Sequence, residues 1–120
     1  MIGIVIVDHG SRQEVSNESF LEVVRRFAAR KTFPIVEPAH MELASPTISE
    51  AIDKAVASGA TKIIVQPYFL LPGKHWHEDL PRLCQAAANK HPALEWSLTP
   101  PLGQSEKMLD VIQERIEQTL

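Results

Sequence analysis

The chain has 120 residues, of which 44% are hydrophobic and 22% charged, and its formal net charge is −3 at pH 7. This balance is typical of a globular protein, and the length predicts one domain spanning residues 1–120. The basic residues are scattered along the chain, which argues against nucleic-acid binding. The lack of an apolar run of ~20 residues argues against a membrane span, and a single cysteine excludes an intrachain disulfide.

The chain begins with patterns of a strand, a helix and a second strand. Residues 2–7 are continuously apolar and largely β-branched, as in a strand covered on both faces. Apolar residues recur with helical spacing over residues 20–28, which predicts an amphipathic helix ending near Lys31. Residues 35–41 predict the second strand. Because Pro38 cannot donate to a ladder, this strand should lie at a sheet edge.

A second helix and a third strand follow. Ser45 is expected to cap the helix, with Pro46 at its first position and Gly59 at its end. Residues 62–69 form another strongly apolar run and predict a strand. A loop containing proline and glycine, residues 71–76, leads out of that strand.

The last third of the chain predicts two more helices and one strand. Pro81 fits only the first turn of the third helix, whose buried face includes Cys84, so this cysteine is expected in the core. Residues 94–98 alternate with period two, as in a half-exposed strand. Ser105 is expected to cap a final helix with apolar positions extending to Ile116.

Alternating strands and helices predict an α/β fold with a four-stranded parallel sheet and helices on both faces. The first and third strands are the most apolar and should be central, whereas the second and fourth belong at the edges. The predicted order is therefore 2-1-3-4. In that order the chain changes direction between the first and third strands, and ligands bind at the carboxyl ends beside such a switch point.

Two histidines follow these central strands, His9 after the first and His75 after the third. If both imidazoles reach the same end of the sheet, they form a site for a metal ion or for proton transfer. Gly10 allows close backbone approach, and Asp8 is expected to hold one ring nitrogen of His9. An unperturbed imidazole, with a pKa of ~6.5, can serve both as ligand and as base.

Five further residues are candidates for the same end of the sheet, and a solvated surface position remains the alternative for each. His77 could join His75 in a metal pair if the segment is extended, and Glu42 could act as a base or ligand. His40, at the end of an edge strand, is expected to be solvated. Arg12 and Lys74 flank the two main histidines and would suit an anionic substrate.

Several other chemistries lack the residues they need. A receiver-type phosphoacceptor domain requires an aspartate at the end of the third strand, where Pro67, Tyr68 and Phe69 stand. A phosphatase with a histidine nucleophile needs a cation before that histidine, and Asp8 has the opposite charge. The chain has no glycine-rich nucleotide-binding loop and no serine nucleophile elbow.

Four segments together resemble a known family: Asp-His-Gly-Ser-Arg at 8–12, residues 37–48, Pro-Tyr-Phe-Leu-Leu-Pro-Gly-Lys-His at 67–75, and Asp-Leu-Pro-Arg at 79–82. Their order and spacing are similar to those of the short-form sirohydrochlorin chelatases of the CbiX/SirB type. These are half-size relatives of the class II chelatases. The resemblance covers essentially the whole chain and implies a flavodoxin-like half of a class II chelatase.

The resemblance implies insertion of a divalent metal into sirohydrochlorin, for sirohaem or cobalamin-type tetrapyrroles. Iron is favoured, cobalt comes next and nickel also fits; the metal is a substrate, with no permanently bound cofactor. By position, His9 and His75 are implied to be the catalytic and metal-handling pair, with His9 as proton acceptor. The implied substrate-binding residues are Ser45, Leu70, Leu71, Pro72, Gly73, Lys74 and His75.

A flat macrocycle is poorly enclosed by one lobe of this size, so we expect a homodimer with sirohydrochlorin and a divalent metal ion as further partners. The N-terminus enters a strand-like run without a basic leader, which favours a cytoplasmic location. The alternative function is a non-catalytic module that binds or delivers a divalent metal with the same histidines.

Overall fold

The computed structural model describes residues 1–120, with the exception of the side chain of His75. Strands and helices alternate along the chain as the hydrophobic periodicity predicts. The regular elements, in chain order, are β1 (Ile2–Asp8), α1 (Glu14–Ala28), β2 (Ile35–His40), α2 (Ile48–Ala57), β3 (Lys62–Pro67), a π-helical turn (His75–Asp79), α3 (Leu80–Ala88), β4 (Glu95–Leu98), a 3-10 turn (Leu102–Gln104) and α4 (Glu106–Glu117).

The strands form one parallel sheet in the order β2-β1-β3-β4, which confirms the predicted order. β2, with Pro38, and the half-exposed β4 lie at the two edges. β1 pairs with β2 on one side and with β3 on the other. The switch point of the sheet therefore lies between the carboxyl ends of β1 and β3.

Each face of the sheet has its own apolar cluster, and alternate residues of β1 contribute to each. Val5 and Val7 are buried in the cluster covered by α2 and α3. Ile4 and Ile6 pack instead with Phe20 of α1. Because successive strand residues point to opposite faces, position 8 is directed to the α1 face and position 9 to the face of α2 and α3.

α1 begins at Glu14, well before the predicted stretch of residues 20–28. Its first turns carry mostly exposed residues and no apolar stripe, so periodicity gives no signal there. The side chain of Asn17 accepts a hydrogen bond from the backbone N–H of Ser11 at 3.0 Å and donates to its carbonyl oxygen at 2.8 Å. These two bonds join the start of α1 to the loop that follows β1.

α2 is capped by Thr47, and the prediction that Ser45 caps it with Pro46 at the first position is wrong. The Thr47 hydroxyl oxygen accepts a hydrogen bond from the backbone N–H of Glu50 at 3.1 Å, and the Glu50 carboxylate accepts one from the N–H of Thr47 at 3.0 Å. Such a capping box needs an acidic residue three positions after the cap, which Thr47 has. Ser45 has Ile48 at that position.

The remaining elements agree with the sequence in kind but differ at some ends. β3 ends at Pro67, two residues before the predicted end, because its partner strand β1 ends at Asp8. Pro81 lies in the first turn of α3, as predicted. Cys84 is fully buried in the core, and this burial raises the pKa of its thiol to about 12.

α4 begins after Ser105, whose hydroxyl oxygen accepts a hydrogen bond from the N–H of Lys107. All of its residues are described, and none of them is buried. Leu109, Ile112 and Ile116 are 58%, 54% and 58% exposed. This helix therefore carries an apolar face that the rest of the described chain leaves open.

Over the described part of the chain, no helix combines the length and the apolar character that crossing a membrane would require.

Candidate functional site

His9 lies directly after β1, at the carboxyl end of the sheet and beside the switch point. Its ring stacks on that of Phe69, with centroids 4.0 Å apart and planes inclined by 14°. Phe69 belongs to the core beneath α2 and α3, whereas His9 is exposed. The stacking holds one face of the imidazole against the protein and leaves the residue accessible from solvent.

The backbone around His9 is fixed by the segment that follows β2. The N–H of Met41 donates to the carbonyl oxygen of Asp8 at 2.8 Å, and the N–H of Glu42 donates to that of His9 at 3.1 Å. Gly10 has φ +85°, and a Cβ atom there would lie 1.9 Å from the carbonyl oxygen of Glu42. Only glycine fits this turn without moving its neighbour.

Asp8 contacts His40 rather than filling the predicted position beside the ring of His9. A carboxylate oxygen of Asp8 lies 2.6 Å from Nδ1 of His40. The two residues are partners in the β1–β2 register, and their side chains point to the α1 face, opposite to that of His9. The expectation that His40 is solvated is wrong, because the residue is 0% exposed.

Apart from Ser45, the substrate-binding residues implied by the resemblance follow Phe69 in the chain, and residues 70–74 form an open, largely apolar loop. Leu70 and Leu71 are 60% and 73% exposed, and Lys74 is also exposed, while Pro72 is half-buried. The loop is supported from one side by the 3-10 turn, since the N–H of Leu102 donates to the carbonyl oxygen of Phe69 at 2.8 Å. This arrangement leaves apolar side chains exposed directly after Phe69, the residue on which the His9 ring stacks.

His75 begins the π-helical turn, and its side chain lies outside the described residues, as does its expected pairing with His9. The neighbouring His77 is exposed, and its ring meets Trp76 edge-on with centroids 4.6 Å apart. The indole of Trp76 donates a hydrogen bond to the carbonyl oxygen of Thr99 at 3.0 Å. Trp76 therefore anchors the turn to the segment after β4.

Arg12 and Ser45 line a common cleft of about 500 Å³, to which Leu43 and Asn17 also contribute. The Ser45 hydroxyl donates a hydrogen bond to the Glu50 carboxylate at 3.1 Å. The backbone N–H of Thr47 and this hydroxyl lower the pKa of Glu50. Ser45 is thus already engaged with the start of α2, whereas the exposed Arg12 adds a positive charge to the cleft.

Among the side chains that the structure describes, no three His, Cys, Asp or Glu residues lie close enough to hold a metal ion together, and His75 is outside that set. The chemistry available at the described site is that of one exposed imidazole. It can donate a lone pair to a metal ion or accept a proton from a ligand resting on the apolar loop.

The sequence does not indicate two features of this site, the role of Phe69 and the contact between Asp8 and His40. Phe69 is apolar and reads as ordinary strand core, so nothing in the pattern indicates that it supports His9. The Asp8–His40 pair becomes visible only when the strand register is known. Alternation along β1 is the one signal that separates Asp8 from His9, because it directs them to opposite faces.

Comparison with known proteins matches nearly the whole chain in sequence and in fold. Residues 3–119 match the family model described as CbiX. The chain is 47% identical over 118 residues to the chloroplastic sirohydrochlorin ferrochelatase of Arabidopsis thaliana, covering 98% of this chain and 52% of that protein. It is 31% identical over 122 residues to the sirohydrochlorin cobaltochelatase of Sulfolobus acidocaldarius, covering 100% of this chain and 94% of that protein.

Among solved structures, SirB from Bacillus subtilis with Fe3+ matches with a TM-score of 0.93 and 28% identity, covering 98% of this chain and 47% of that one. The chain thus spans about half the length of several relatives that it matches. The matched region covers nearly the whole chain in each of these comparisons. The chain belongs to the CbiX family.

Proposed function

We propose that this protein inserts a divalent metal ion into sirohydrochlorin. The observation that carries the proposal is the exposed imidazole of His9, stacked on Phe69 at the carboxyl ends of the central strands. Open parallel sheets bind their ligands at this position. The names of the relatives support the substrate, since those from Arabidopsis thaliana and Sulfolobus acidocaldarius are a sirohydrochlorin ferrochelatase and a sirohydrochlorin cobaltochelatase.

In this proposal His9 and His75 together hold the incoming ion. As the ion leaves the imidazoles for the ring nitrogens, His9 accepts one of the two displaced pyrrole protons, and the second proton passes to solvent. Metal insertion removes two pyrrole protons while the ion exchanges its ligands for ring nitrogens, and neutral imidazole suits both tasks. A small number of protein ligands leaves the ion free to depart into the macrocycle.

The macrocycle rests on the open loop, where Leu70 and Leu71 give apolar contact beside Phe69. Pro72 and Gly73 shape the loop, and a Cβ atom at Gly73 would meet no atom of the described structure within 4 Å. Lys74 offers a positive charge to the carboxylates of the substrate.

Ser45 is a further candidate for substrate contact, and Arg12, Glu42 and His77 are weaker candidates for a part in the reaction. Arg12 and Ser45 share their cleft with Glu14 and Glu18, and Arg12 is the residue there whose charge suits a carboxylate. Glu42 is a candidate base because its backbone already contacts that of His9. His77 is the weakest candidate, since its described ring contact is with Trp76.

Iron is our first choice of metal, because the 47% identical relative is a ferrochelatase; cobalt is next and nickel remains a candidate. We propose no permanently bound cofactor and a cytoplasmic location. Imidazole ligands discriminate weakly among these ions, so supply in the cell decides much of the outcome.

The test is to mix the purified protein with sirohydrochlorin and Fe(II), Co(II) or Ni(II) without oxygen and to follow the absorption spectrum of the macrocycle. We expect insertion to be faster than in a reaction without protein for at least Fe(II) or Co(II). If the protein binds the ion but all three rates equal the uncatalysed rate, the alternative of a metal-binding or delivery module replaces the chelatase.

We further propose that two copies assemble through α4. The helix exposes Leu109, Ile112 and Ile116 on its surface, and a second copy would remove this apolar area from water. The chain covers only about half of the Bacillus subtilis SirB chain, which leaves room there for a second lobe of this size. A symmetric dimer would supply that second lobe from an identical chain.

Light scattering of the Ile112→Glu variant tests the dimer. We expect the wild type to have the mass of two chains and the variant that of one. The matched control is Val15→Glu, because Val15 is 80% exposed in α1 and lies outside the proposed interface. A wild type that is monomeric under assay conditions refutes the dimer. An Ile112→Glu variant that stays dimeric refutes α4 as its interface.

A further inference from the structure

We propose that the Asp8–His40 pair is a positioning device that sets the turn carrying His9 and, through the backbone, holds the His9 ring on Phe69. The pair lies on the opposite face of the sheet from His9, so it acts on the His9 ring through the turn and not by contact with it, and His40 also lines the cleft that Arg12 and Ser45 share. The inference rests on the proposed function for its kinetic test alone, since the ring stacking can be measured in the protein by itself.

The pair is buried and closely bonded. His40 is 0% exposed, and the Asp8 side chain is 19% exposed. Nδ1 of His40 lies 2.6 Å from a carboxyl oxygen of Asp8, a short hydrogen bond between two side chains that the strand register brings together. The ring of Phe20 packs against His40 with centroids 5.5 Å apart, which restricts the imidazole from the α1 side.

The bond joins the last residues of two neighbouring strands, just where the chain turns toward His9. Asp8 and His40 are register partners, and the backbone bonds Met41 N–H to Asp8 and Glu42 N–H to His9 continue the pairing past the strand ends. The side-chain bond and these two backbone bonds therefore fix the same few residues from different directions. Gly10, packed against Glu42, completes the turn.

Packing alone does not explain why a histidine occupies buried position 40. Its Nε2 atom is buried and has no hydrogen-bond partner among the described residues, which is an unfavourable position for a polar nitrogen. An apolar pair at positions 8 and 40 would fill the space beside Phe20 without this penalty. An apolar pair would not form a hydrogen bond between the two strand ends. We assign this role to Asp8 and His40.

Three substitutions separate the bond from the bulk of the side chain. His40→Asn keeps an N–H donor near the Nδ1 position, His40→Gln carries its donor near the Nε2 position, and His40→Leu has none. We expect Asn to preserve the bond to Asp8 and the other two to lose it. Ile63→Val is the stability control, because Ile63 is fully buried in β3. It pairs with Gly3 near the start of β1, at the opposite end of the sheet from the turn that carries His9.

The first readout is the NMR shift of the His9 ring protons, which the stacked Phe69 ring moves upfield. We expect this upfield shift to be retained in His40→Asn and Ile63→Val and lost in His40→Leu and His40→Gln. The second readout is metal insertion, where loss of position should lower kcat by about 100-fold with little change in the KM for sirohydrochlorin.

The outcomes are distinct. Unchanged His9 ring shifts in folded His40→Leu, or in His40→Gln if the leucine variant does not fold, overturn the proposal. Asn and Gln variants with equal ring shifts overturn it as well, because the position of the donor would then not matter. If the shifts change as expected but the wild type inserts no metal, the positioning pair stands and the proposed function fails.

Discussion

Replacing Gly10 with alanine perturbs the turn that carries His9 with a single added methyl group. The new Cβ atom would lie 1.9 Å from the carbonyl oxygen of Glu42, whereas real Cβ contacts are essentially never shorter than 3.0 Å. The turn and the Glu42 segment must therefore separate by about 1.1 Å, the difference between these distances. This movement strains the hydrogen bond from the Glu42 N–H to the carbonyl oxygen of His9.

Two terms determine the loss of stability. An L-residue at a positive φ costs about 1–2 kcal/mol, and a weakened backbone hydrogen bond adds about 1 kcal/mol. Gly10→Ala should therefore lower the free energy of unfolding by about 2–3 kcal/mol, or Tm by roughly 8–12 °C. A displacement of about 1 Å at His9 should also lower kcat for metal insertion by about 100-fold.

Gly59→Ala is the matched control. Gly59 has φ +108°, but a Cβ atom there meets nothing within 4 Å, so this variant carries only the backbone strain. Thermal unfolding and metal-insertion kinetics should be measured for both variants. We expect Gly59→Ala to lose about 1–2 kcal/mol with normal kinetics. If Gly10→Ala equals Gly59→Ala in stability and retains its kcat, the close packing of the turn does not position His9.

Three further outcomes follow from the core, the helix surface and the site. The burial that raises the pKa of Cys84 to about 12 should keep it unreactive toward a thiol reagent at pH 8 until the protein is unfolded, and rapid labelling of the native protein would contradict this. A hydrogen bond from Lys90 and one with His91 lower the pKa of Asp53, so its stabilisation is present above the unfolded pKa of ~3.9 and is lost as the pH falls through the lower folded pKa. In urea unfolding at pH 7, the free energy of unfolding of the wild type should exceed that of Asp53→Asn by less than about 1 kcal/mol, because Asp53 is half-exposed. This difference should shrink toward pH 3, and a difference that grows there would contradict the prediction. Phe69→Leu keeps an apolar side chain but removes the stacked ring and some buried volume, so we expect a lower kcat for metal insertion and a loss of stability of about 1–2 kcal/mol. An unaltered kcat would show that the stacking has no part in catalysis.

The strand order could be predicted because burial leaves a strong trace in the sequence. β1 is buried on both faces and is apolar almost throughout, β3 carries one fully buried apolar face, and Pro38 restricts β2 to an edge. These signals are local, and the switch point follows from them with the general rules for parallel sheets. The position of His9 at the carboxyl end of β1 needs no further information.

The contacts of the site could not be predicted in the same way, because they depend on which residues meet across strands. Asp8 adjoins His9 in sequence but faces the other side of the sheet, and its partner His40 is found only through the register of β1 and β2. Ser45 and Thr47 are both good capping residues, and the position of Glu50 decides between them.

The surface that covers the apolar face of α4 could not be predicted from the sequence. Its apolar positions predict a helix correctly, but a periodic pattern does not say which surface the apolar face meets. Within the described residues that face, with Ile112 at its middle, remains exposed. The pattern is therefore consistent with burial against another lobe, which is the arrangement proposed for a second copy.

The most direct test of the central claim is the rate of Co(II) or Fe(II) insertion into sirohydrochlorin by His9→Ala, beside His91→Ala. His91 is half-buried in the segment after α3, where it pairs with Asp53 at 2.7 Å, and it has no place in the proposed reaction. We predict that His9→Ala folds but inserts metal no faster than the reaction without protein, while His91→Ala retains the wild-type rate. A folded His9→Ala variant with a near-normal rate would contradict the assignment of His9 as the reacting imidazole.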